Sequence, residues 1–132
     1  MKKHKEIEIT ECVATFEHSV LKYNELLLQG SDQANRNYYA YLRALKQLNK
    51  MGDDGLSALT KLFNHENRGL RVMAASYLIH RYTDKAKKVL TEAAEAERPI
   101  GGLAIVTLKR WELGRYLDPA SGKEVELRKP TK

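Results

Sequence analysis

The sequence is poor in the residues that most often carry metal or nucleophilic chemistry. Its 132 residues contain one cysteine and four histidines. A single cysteine excludes an intrachain disulfide and favours a reducing compartment. The histidines form no pair at spacings of three or four residues, which would place two of them on one helix face. We therefore expect no metal site and no cofactor.

Long apolar runs are missing as well. No stretch of the chain approaches the ~20 apolar residues that a membrane-spanning helix needs. The basic residues within positions 1–5 are followed by Glu6, Glu8 and Glu11 rather than by an apolar segment, unlike a secretory signal. The sequence therefore predicts no membrane partner and a cytoplasmic location.

Complete catalytic motifs are also absent. The segment Ser121–Lys123 lacks the first glycine of a phosphate-binding loop and lies in a predicted turn. Gly101 and Gly102 lack a full anion-binding motif, and we favour close helix packing as their role. Cys12 and His18 are six residues apart and lie on different faces of a helix, so Cys12 is expected to be a small buried apolar residue. The sequence thus predicts a protein that is not an enzyme and has no catalytic residues.

What the chain does contain is an apolar pattern that recurs every thirty residues. Each copy places three residues in one row along a helix face, with alanine at the centre. The three copies are Ala40-Ala44-Leu48, Leu70-Ala74-Leu78 and Ile100-Ala104-Leu108. A small central residue allows a neighbouring helix to approach closely. The repeat predicts an all-α protein of stacked antiparallel helical hairpins.

Hydrophobic spacing predicts about six helices in this stack. The first is expected over residues 9–28, where apolar residues alternate spacings of four and three. Ser31 or Asp32 caps a second helix that reaches about residue 50. Asp53 or Asp54 caps a third helix that ends near residue 64.

The remaining three helices have their own start and stop signals. Asn67 is placed to cap the fourth helix and Thr83 to cap the fifth. Pro99 is tolerated at the first position of the sixth helix, which ends at Gly114. The inward face of that last helix is expected to consist of Leu103, Ala104, Thr107, Leu108 and Trp111.

The residues beyond Gly114 differ in character from the helices. Turn-forming residues at 118–122 are followed by Val125 and Leu127, which alternate with charged neighbours. This pattern predicts a short β-hairpin that docks on the last helices and covers their apolar end, with a flexible tail as the alternative. The expected organisation is a single helical-repeat domain over residues 1–114 and a C-terminal hairpin or flexible tail over 115–132.

A family resemblance is carried by the head of the fourth helix. Arg71 and Val72 stand shortly before the pair Ala74-Ala75, in the places that these residue types occupy in HEAT-like helical repeats. The chain resembles HEAT-like repeat proteins over residues 35–114, with one good unit and two degenerate ones. The first and third units depart from the pattern at Tyr41, Leu45, Gly101 and Ile105.

A second resemblance lies in the segment 68–82 and around Trp111. Through these regions the chain is similar to the short all-helical bacterial proteins of domain-of-unknown-function family 2019. Both resemblances imply a fragment of an α-solenoid. Such scaffolds bind many kinds of partner and are tied to no one chemistry.

One group of candidate partner-binding residues lies near the start of the second helix. Tyr38, Tyr39 and Tyr41 cannot all face one side, because consecutive helical residues are ~100° apart. Tyr39 is therefore expected to face outward, near Arg43. Exposed tyrosine beside arginine is a composition favoured in protein interfaces.

A second candidate group is basic. It lies on the fifth helix, on the sixth helix and just after the sixth. Its members are Lys85, Lys87, Lys88, Lys109, Arg110 and Arg115.

The distribution of charge decides between two functions for these residues. The net charge is +6, yet residues 6–114 carry 15 basic and 14 acidic residues, so the helical body is close to neutral. A large phosphate-binding face needs several uncompensated basic residues on one side. The leading hypothesis is therefore a non-catalytic protein–protein interaction module, monomeric or weakly homodimeric. Nucleic-acid binding through the basic ends and the fifth and sixth helices is the alternative.

The small size of the chain suggests a narrower function. Toxin-neutralising immunity proteins are often compact helical domains of this kind. The basic balance differs from that of acidic proteins that block nucleases.

Overall fold

The computed structural model describes residues 2–29 and 34–127. This part of the chain forms a mostly helical protein with a short two-stranded antiparallel sheet after the last helix. The predicted all-α stack of six helices with a C-terminal hairpin is thereby confirmed. The elements are α1 (Lys2–Leu28), α2 (Ala34–Lys50), α3 (Asp53–Leu59), a 3₁₀ helix (Thr60–Asn64), α4 (Arg68–Leu78), α5 (Thr83–Ala93), α6 (Ile100–Glu112), β1 (Arg115–Leu117) and β2 (Glu124–Glu126).

Helix α1 begins earlier than its apolar spacing predicts. It starts at Lys2 rather than near Ile9, because lysine and glutamate are good helix formers even where no apolar stripe exists. Polar contacts link these first turns to the rest of the stack. The Nζ atom of Lys5 lies 3.4 Å from a carboxylate oxygen of Asp54. The side-chain amide of Gln47 donates to Glu8 at 3.4 Å.

Helix capping follows the prediction at one of the three start sites that the structure describes. The side-chain oxygen of Asn67 accepts a hydrogen bond from the backbone N–H of Leu70 at 2.9 Å, so this cap is confirmed. At α3 the cap position is Gly52, with φ +77°, rather than an aspartate. At α5 it is Tyr82, because the Thr83 hydroxyl donates back to the carbonyl of Ile79 at 2.7 Å. The predicted caps Ser31 and Asp32 lie outside the described residues.

The third predicted helix ends sooner than expected. Regular α-helix stops at Leu59, and the chain continues as a 3₁₀ helix to Asn64. Leu62 and Phe63 in this tighter turn are still buried. The apolar stripe therefore predicted the buried face correctly, while the tighter helical winding of its last turn was not predicted.

Helix α4 lies at the centre of the stack. It contacts α1, α5, α6, the 3₁₀ helix and β1. Every residue from Leu70 to Leu78 except Arg71 is buried. The central alanines of the thirty-residue repeat, Ala44, Ala74 and Ala104, are at most 5% exposed. The centre of the row that defines the repeat is therefore buried in all three copies, while its outer residues Ala40, Ile100 and Leu108 are half-buried.

Helix α6 is only partly covered, because it is the last helix of the stack. Ala104 and Thr107 are buried as predicted, and Leu108 and Trp111 are half-buried. The prediction that Leu103 faces inward is wrong, since its side chain is 39% exposed. Within the described residues no helix has both the length and the hydropathy that crossing a bilayer requires.

The hairpin packs along the stack and does not close its end. Strand β1 contacts α4 and α6, and the Tyr116 ring stacks on His80 at a centroid distance of 4.2 Å. The turn between the strands reaches α2. The prediction that the hairpin covers the apolar end of the last helices is therefore only partly right, because Ile105 and Val106 remain 41% and 42% exposed.

Candidate functional site

The predicted partner-binding residues fall on different surfaces. Tyr39 and Arg43 share a groove on α2. Lys85 and Lys88 line a depression beside the 3₁₀ helix. Of the remaining predicted residues, Arg110 and Arg115 form ion pairs with Glu124 of the hairpin. Lys87 and Lys109 are exposed, and they line neither the groove nor the depression.

The groove on α2 has a second wall that comes from the other end of the chain. We call it the α2–turn groove. Its volume is about 360 Å³. Helix α2 contributes Tyr38, Tyr39, Leu42, Arg43 and Lys46, and the turn between β1 and β2 contributes Ser121, Gly122 and Lys123.

A glycine allows the turn to approach α2 closely. Gly122 has φ +73°, a conformation that favours glycine. A Cβ atom at this position would lie 2.8 Å from Cδ2 of Leu42, which is too close for an unstrained contact. The backbone of the turn therefore rests directly on α2. The two walls of the groove are joined by a contact between residues eighty positions apart.

Hydrogen bonds centred on Asp118 hold the turn in shape. The carboxylate of Asp118 accepts from the backbone N–H of Ala120 at 3.2 Å and from the Ser121 hydroxyl at 3.1 Å. The Ser121 oxygen in turn accepts from the backbone N–H of Lys123 at 3.2 Å. The backbone of Asp118 also donates to the carbonyl of Lys123 at 2.9 Å. These bonds fix the direction of the backbone at Lys123, where the turn ends.

The α2–turn groove is lined by three cations, and the carboxylate that its turn provides, that of Asp118, is hydrogen-bonded to Ser121 and to the backbone of Ala120. None of its lining residues is acidic. Within residues 2–29 and 34–127, Arg43, Lys46 and Lys123 form no ion pair at 4.0 Å or less. The outward orientation predicted for Tyr39 is confirmed, since its side chain is 60% exposed. The groove thus places an exposed aromatic ring among three cations that have no carboxylate partner.

Two of these cations were not among the predicted binding residues. Lys46 lies three residues after Arg43 and seven after Tyr39, which is the spacing of one helix face, so the sequence contained a signal for it. Lys123 gave no such signal. Only the packing of the turn on α2 brings it to this surface.

The arginines near the hairpin have an evident structural role. Glu124 on β2 accepts from Arg110 and from Arg115, each at 3.0 Å, and Glu126 accepts from Arg115 at 3.1 Å. The hydrogen bond that Arg115 donates to Glu124 and the negative charges of Glu126 and Glu124 raise the pKa of Arg115. These exposed ion pairs fasten β2 to β1 and α6, so their positive charge is already compensated.

The basic residues of α5 form a weaker candidate surface. Lys85 and Lys88 line a depression of about 480 Å³ with Lys61 of the 3₁₀ helix. Glu92 lies in the same lining and offsets part of the charge. Lys87 is not part of this lining, because it lies on another face of α5. The structure therefore does not unite the predicted basic group into one patch.

A second, apolar groove lies next to two buried tyrosines. Tyr41 and Tyr77 are 2% and 4% exposed, and their rings pack edge-on at a centroid distance of 6.3 Å. Burial raises the pKa of both, in the case of Tyr77 to about 12. They line a groove of about 390 Å³ whose other walls include Leu27, Met73 and Leu103. The charged forms of these tyrosines are strongly disfavoured in such surroundings.

Alkaline pH is expected to destabilise the fold through this pair. The unfolded chain loses its tyrosine protons near pH 10, whereas folded Tyr77 keeps its proton to about pH 12. Between these values the unfolded state binds fewer protons, so the free energy of unfolding falls as pH rises. The slope reaches about 1.4 kcal/mol per pH unit for each tyrosine. Urea unfolding at several pH values between about 9 and about 11.5, a range that includes the ordinary pKa of tyrosine, measures this slope. Tyr77→Phe should make the slope shallower, and exposed Tyr39→Phe should not; equal slopes in all three proteins would contradict the assignment.

The residues considered for metal or thiol chemistry are scattered. No three His, Cys, Asp or Glu side chains in the described part of the chain lie together as metal ligands would. Cys12 is half-buried rather than fully buried as expected. Burial and the nearby charges of Glu8 and Glu11 raise the pKa of its thiol, which disfavours the reactive thiolate.

Comparison with known proteins identifies the fold and no family. No family model matches the sequence, and no curated protein matches it. The solved structure of the protein RPA1889 from Rhodopseudomonas palustris CGA009 is similar to this chain, with a TM-score of 0.75 and 23% sequence identity. The similarity covers 80% of this chain and 89% of that one. At this identity the likeness establishes a shared fold and carries no function. The chain thus has a helical fold that also occurs in a bacterial protein.

Proposed function

We propose that this chain is a non-catalytic protein–protein interaction module and that the α2–turn groove is its contact face. One observation carries the proposal. Tyr39 stands 60% exposed in a groove with Arg43, on a surface built from two elements that are distant in sequence. Tyrosine and arginine are enriched at the centres of protein interfaces, where they contribute most of the binding energy.

The surroundings of Tyr39 favour a preformed contact face. Its ring packs edge-on against Tyr38 at 5.3 Å, and Tyr38 packs in turn against Tyr41 at 5.4 Å. Tyr41 is buried in the core. A side chain that is already held by its neighbours loses little conformational entropy when a partner binds. Tyr39 is therefore well suited to anchor a protein contact.

We further propose that the scaffold is of the HEAT-like kind. The arginine that carries the resemblance, Arg71, donates to the backbone carbonyls of His65 and Glu66 at 2.6 and 3.1 Å. It thereby fixes the connection between the 3₁₀ helix and α4. Ala74 and Ala75 are fully buried at close helix contacts. Arg71 thus holds the segment that leads into this unit, and Val72, Ala74 and Ala75 are part of its core. Membership of domain-of-unknown-function family 2019 is a further form of the same proposal.

A narrower form of the proposal is a toxin-neutralising immunity-type protein. Its support is the small helical domain that the 132 residues form. The neighbouring genes test it. A gene for a large secreted toxin immediately upstream would favour this form, and an isolated locus would count against it.

Photo-crosslinking in the native host tests the contact face. A photoreactive phenylalanine analogue replaces Tyr39 in one strain and Thr91, an exposed residue of α5, in a control strain. We expect a discrete protein adduct from position 39, identified by mass spectrometry, and none from position 91. Unlabelled wild-type protein should compete the adduct away, whereas Tyr39→Ala protein should compete several-fold less well.

Two results would contradict the proposal. The same set of adducts from both positions would indicate collisions rather than a specific face. An adduct that nuclease removes and protease does not would indicate nucleic-acid binding, the alternative function.

A further inference from the structure

We infer that the α2–turn groove binds an acidic segment of the partner protein, whose carboxylates lie against Arg43, Lys46 and Lys123. This inference rests on the proposed function and adds the chemistry of the partner. It is based on which cations of the described surface lie near carboxylates and which do not.

Elsewhere on the described surface, several cations are paired. Lys5 lies against Asp54, Arg81 against Asp53, and Arg110 and Arg115 against Glu124. Other cations, such as Lys85 and Lys88, also form no ion pair, but glutamate lies in the lining of their depression. Two further depressions with basic residues likewise contain glutamates, whereas the lining of the groove holds three cations and no acidic residue. Like charges that share a groove raise its positive potential, which draws an oppositely charged partner and speeds its association.

The groove also contains apolar groups, which its ligand is expected to contact. Leu42, which is 92% covered, lies in its lining, and the rings of Tyr38 and Tyr39 stand beside it. An apolar side chain placed between two acidic ones would contact these groups while its neighbours reach the cations. The expected ligand is therefore a short segment in which acidic and apolar residues alternate.

The same surface is less suited to a nucleic-acid strand. A phosphate backbone needs a continuous track of cations. The residues that follow Lys123 along the hairpin include Glu124 and Glu126, and their carboxylates already bind Arg110 and Arg115. The carboxylates of these two glutamates interrupt the row of cations beyond Lys123 along the described part of the hairpin.

Fluorescence anisotropy with model peptides tests the inference on the full-length chain. The probe is a short labelled peptide of alternating glutamate and leucine, and its control contains glutamine in place of glutamate. We expect the acidic peptide to bind at low salt and the glutamine peptide to bind at least about tenfold more weakly, with the difference shrinking as salt rises. Lys46→Glu and Lys123→Glu should each weaken binding of the acidic peptide about tenfold.

A matched charge reversal away from the groove controls for net charge. Lys87→Glu on α5 changes the total charge equally and should leave the affinity within about twofold. Circular dichroism establishes that each variant is folded. If Lys46→Glu fails to fold, Lys46→Gln replaces it in the test, because it removes the positive charge without adding a negative one. Lys46→Gln should weaken binding of the acidic peptide several-fold.

Each contrary result overturns the inference. Such results are no binding of the acidic peptide, equal binding of both peptides, or an equal loss in Lys87→Glu. Tighter binding of a single-stranded oligonucleotide, with the same sensitivity to Lys46→Glu, would assign the groove to nucleic acid. Crosslinks from position 39 that persist unchanged in Lys46→Glu protein would overturn the acidic partner and leave the interaction function standing. If position 39 gives no specific crosslink in protein without any further substitution, the proposed interaction function itself is contradicted.

Discussion

Gly101→Ala is expected to lower the free energy of unfolding by about 3 kcal/mol, whereas Gly102→Ala should raise it by roughly 0.5–1 kcal/mol. A Cβ atom at Gly101 would overlap the backbone carbonyl oxygen of Ala96 in the turn before α6. Backbone cannot move aside as a flexible side chain can. At Gly102 the nearest atom is Cγ of Arg98 at 3.8 Å, an ordinary contact, so alanine gains helix propensity there without a clash.

Urea unfolding of the two variants beside the wild type measures this difference. The pair is well matched, because the two glycines are adjacent in one helix and the substitution is the same. Similar stabilities for the two variants would contradict the close approach of the turn to α6. The same result would weaken the interpretation of Gly101 as a packing residue. The close helix packing predicted for Gly102 is wrong, because a Cβ atom there would make only an ordinary contact with Arg98, and Gly101 packs on the turn at Ala96 rather than on a helix.

Leu78→Ala is expected to cost about 3–5 kcal/mol, and Leu108→Ala clearly less. The two leucines are equivalent in the thirty-residue repeat. Leu78 is fully buried in the central helix α4, so its truncation leaves a cavity that the surroundings cannot fill. Leu108 is only partly buried on α6, and water can reach part of the space that its side chain vacates.

Thermal and urea unfolding of both variants, with Leu48→Ala as a third member, measure the gradient along the stack. Leu48 is fully buried on α2 and should behave like Leu78. A loss for Leu108→Ala as large as that for Leu78→Ala would mean that α6 is covered in solution by something that the structure of the isolated chain does not contain.

The core was predictable where local pattern and tertiary packing agree. The apolar spacing from Leu70 to Leu78 has no gap, and Asn67 precedes it with a side chain that can cap, so the position of α4 followed from the sequence. The hairpin after Gly114 followed from turn residues and alternation. In both cases the local signal and the final packing favour the same structure.

Prediction failed where helix propensity, a competing local hydrogen bond or the number of neighbouring elements decided the outcome. The first turns of α1 have no apolar stripe, and contacts with Asp54 and Gln47 accompany their helical conformation. Thr83 has a capping side chain that donates instead to the preceding turn. Leu103 fits the inward stripe of α6, yet its exposure depends on how many neighbours a terminal helix has.

The candidate site was half predictable. Tyr39 and Arg43 lie on one helix and share a local signal. Lys123 belongs to the groove only because Gly122 allows the turn to rest on Leu42. No spacing rule connects residues that are eighty positions apart, so the complete groove required the structure.

The contact between Gly122 and Leu42 also makes the groove depend on a segment that is synthesised after all six helices. During synthesis, the helices from α1 to α6 emerge before the turn does, so one wall of the groove is missing until residue 123 has left the ribosome. A partner that needs both walls can therefore bind only after the turn has packed on α2. Once bound, it bridges α2 to the hairpin and opposes their separation, so occupancy should protect the amide hydrogens of both segments from exchange with solvent.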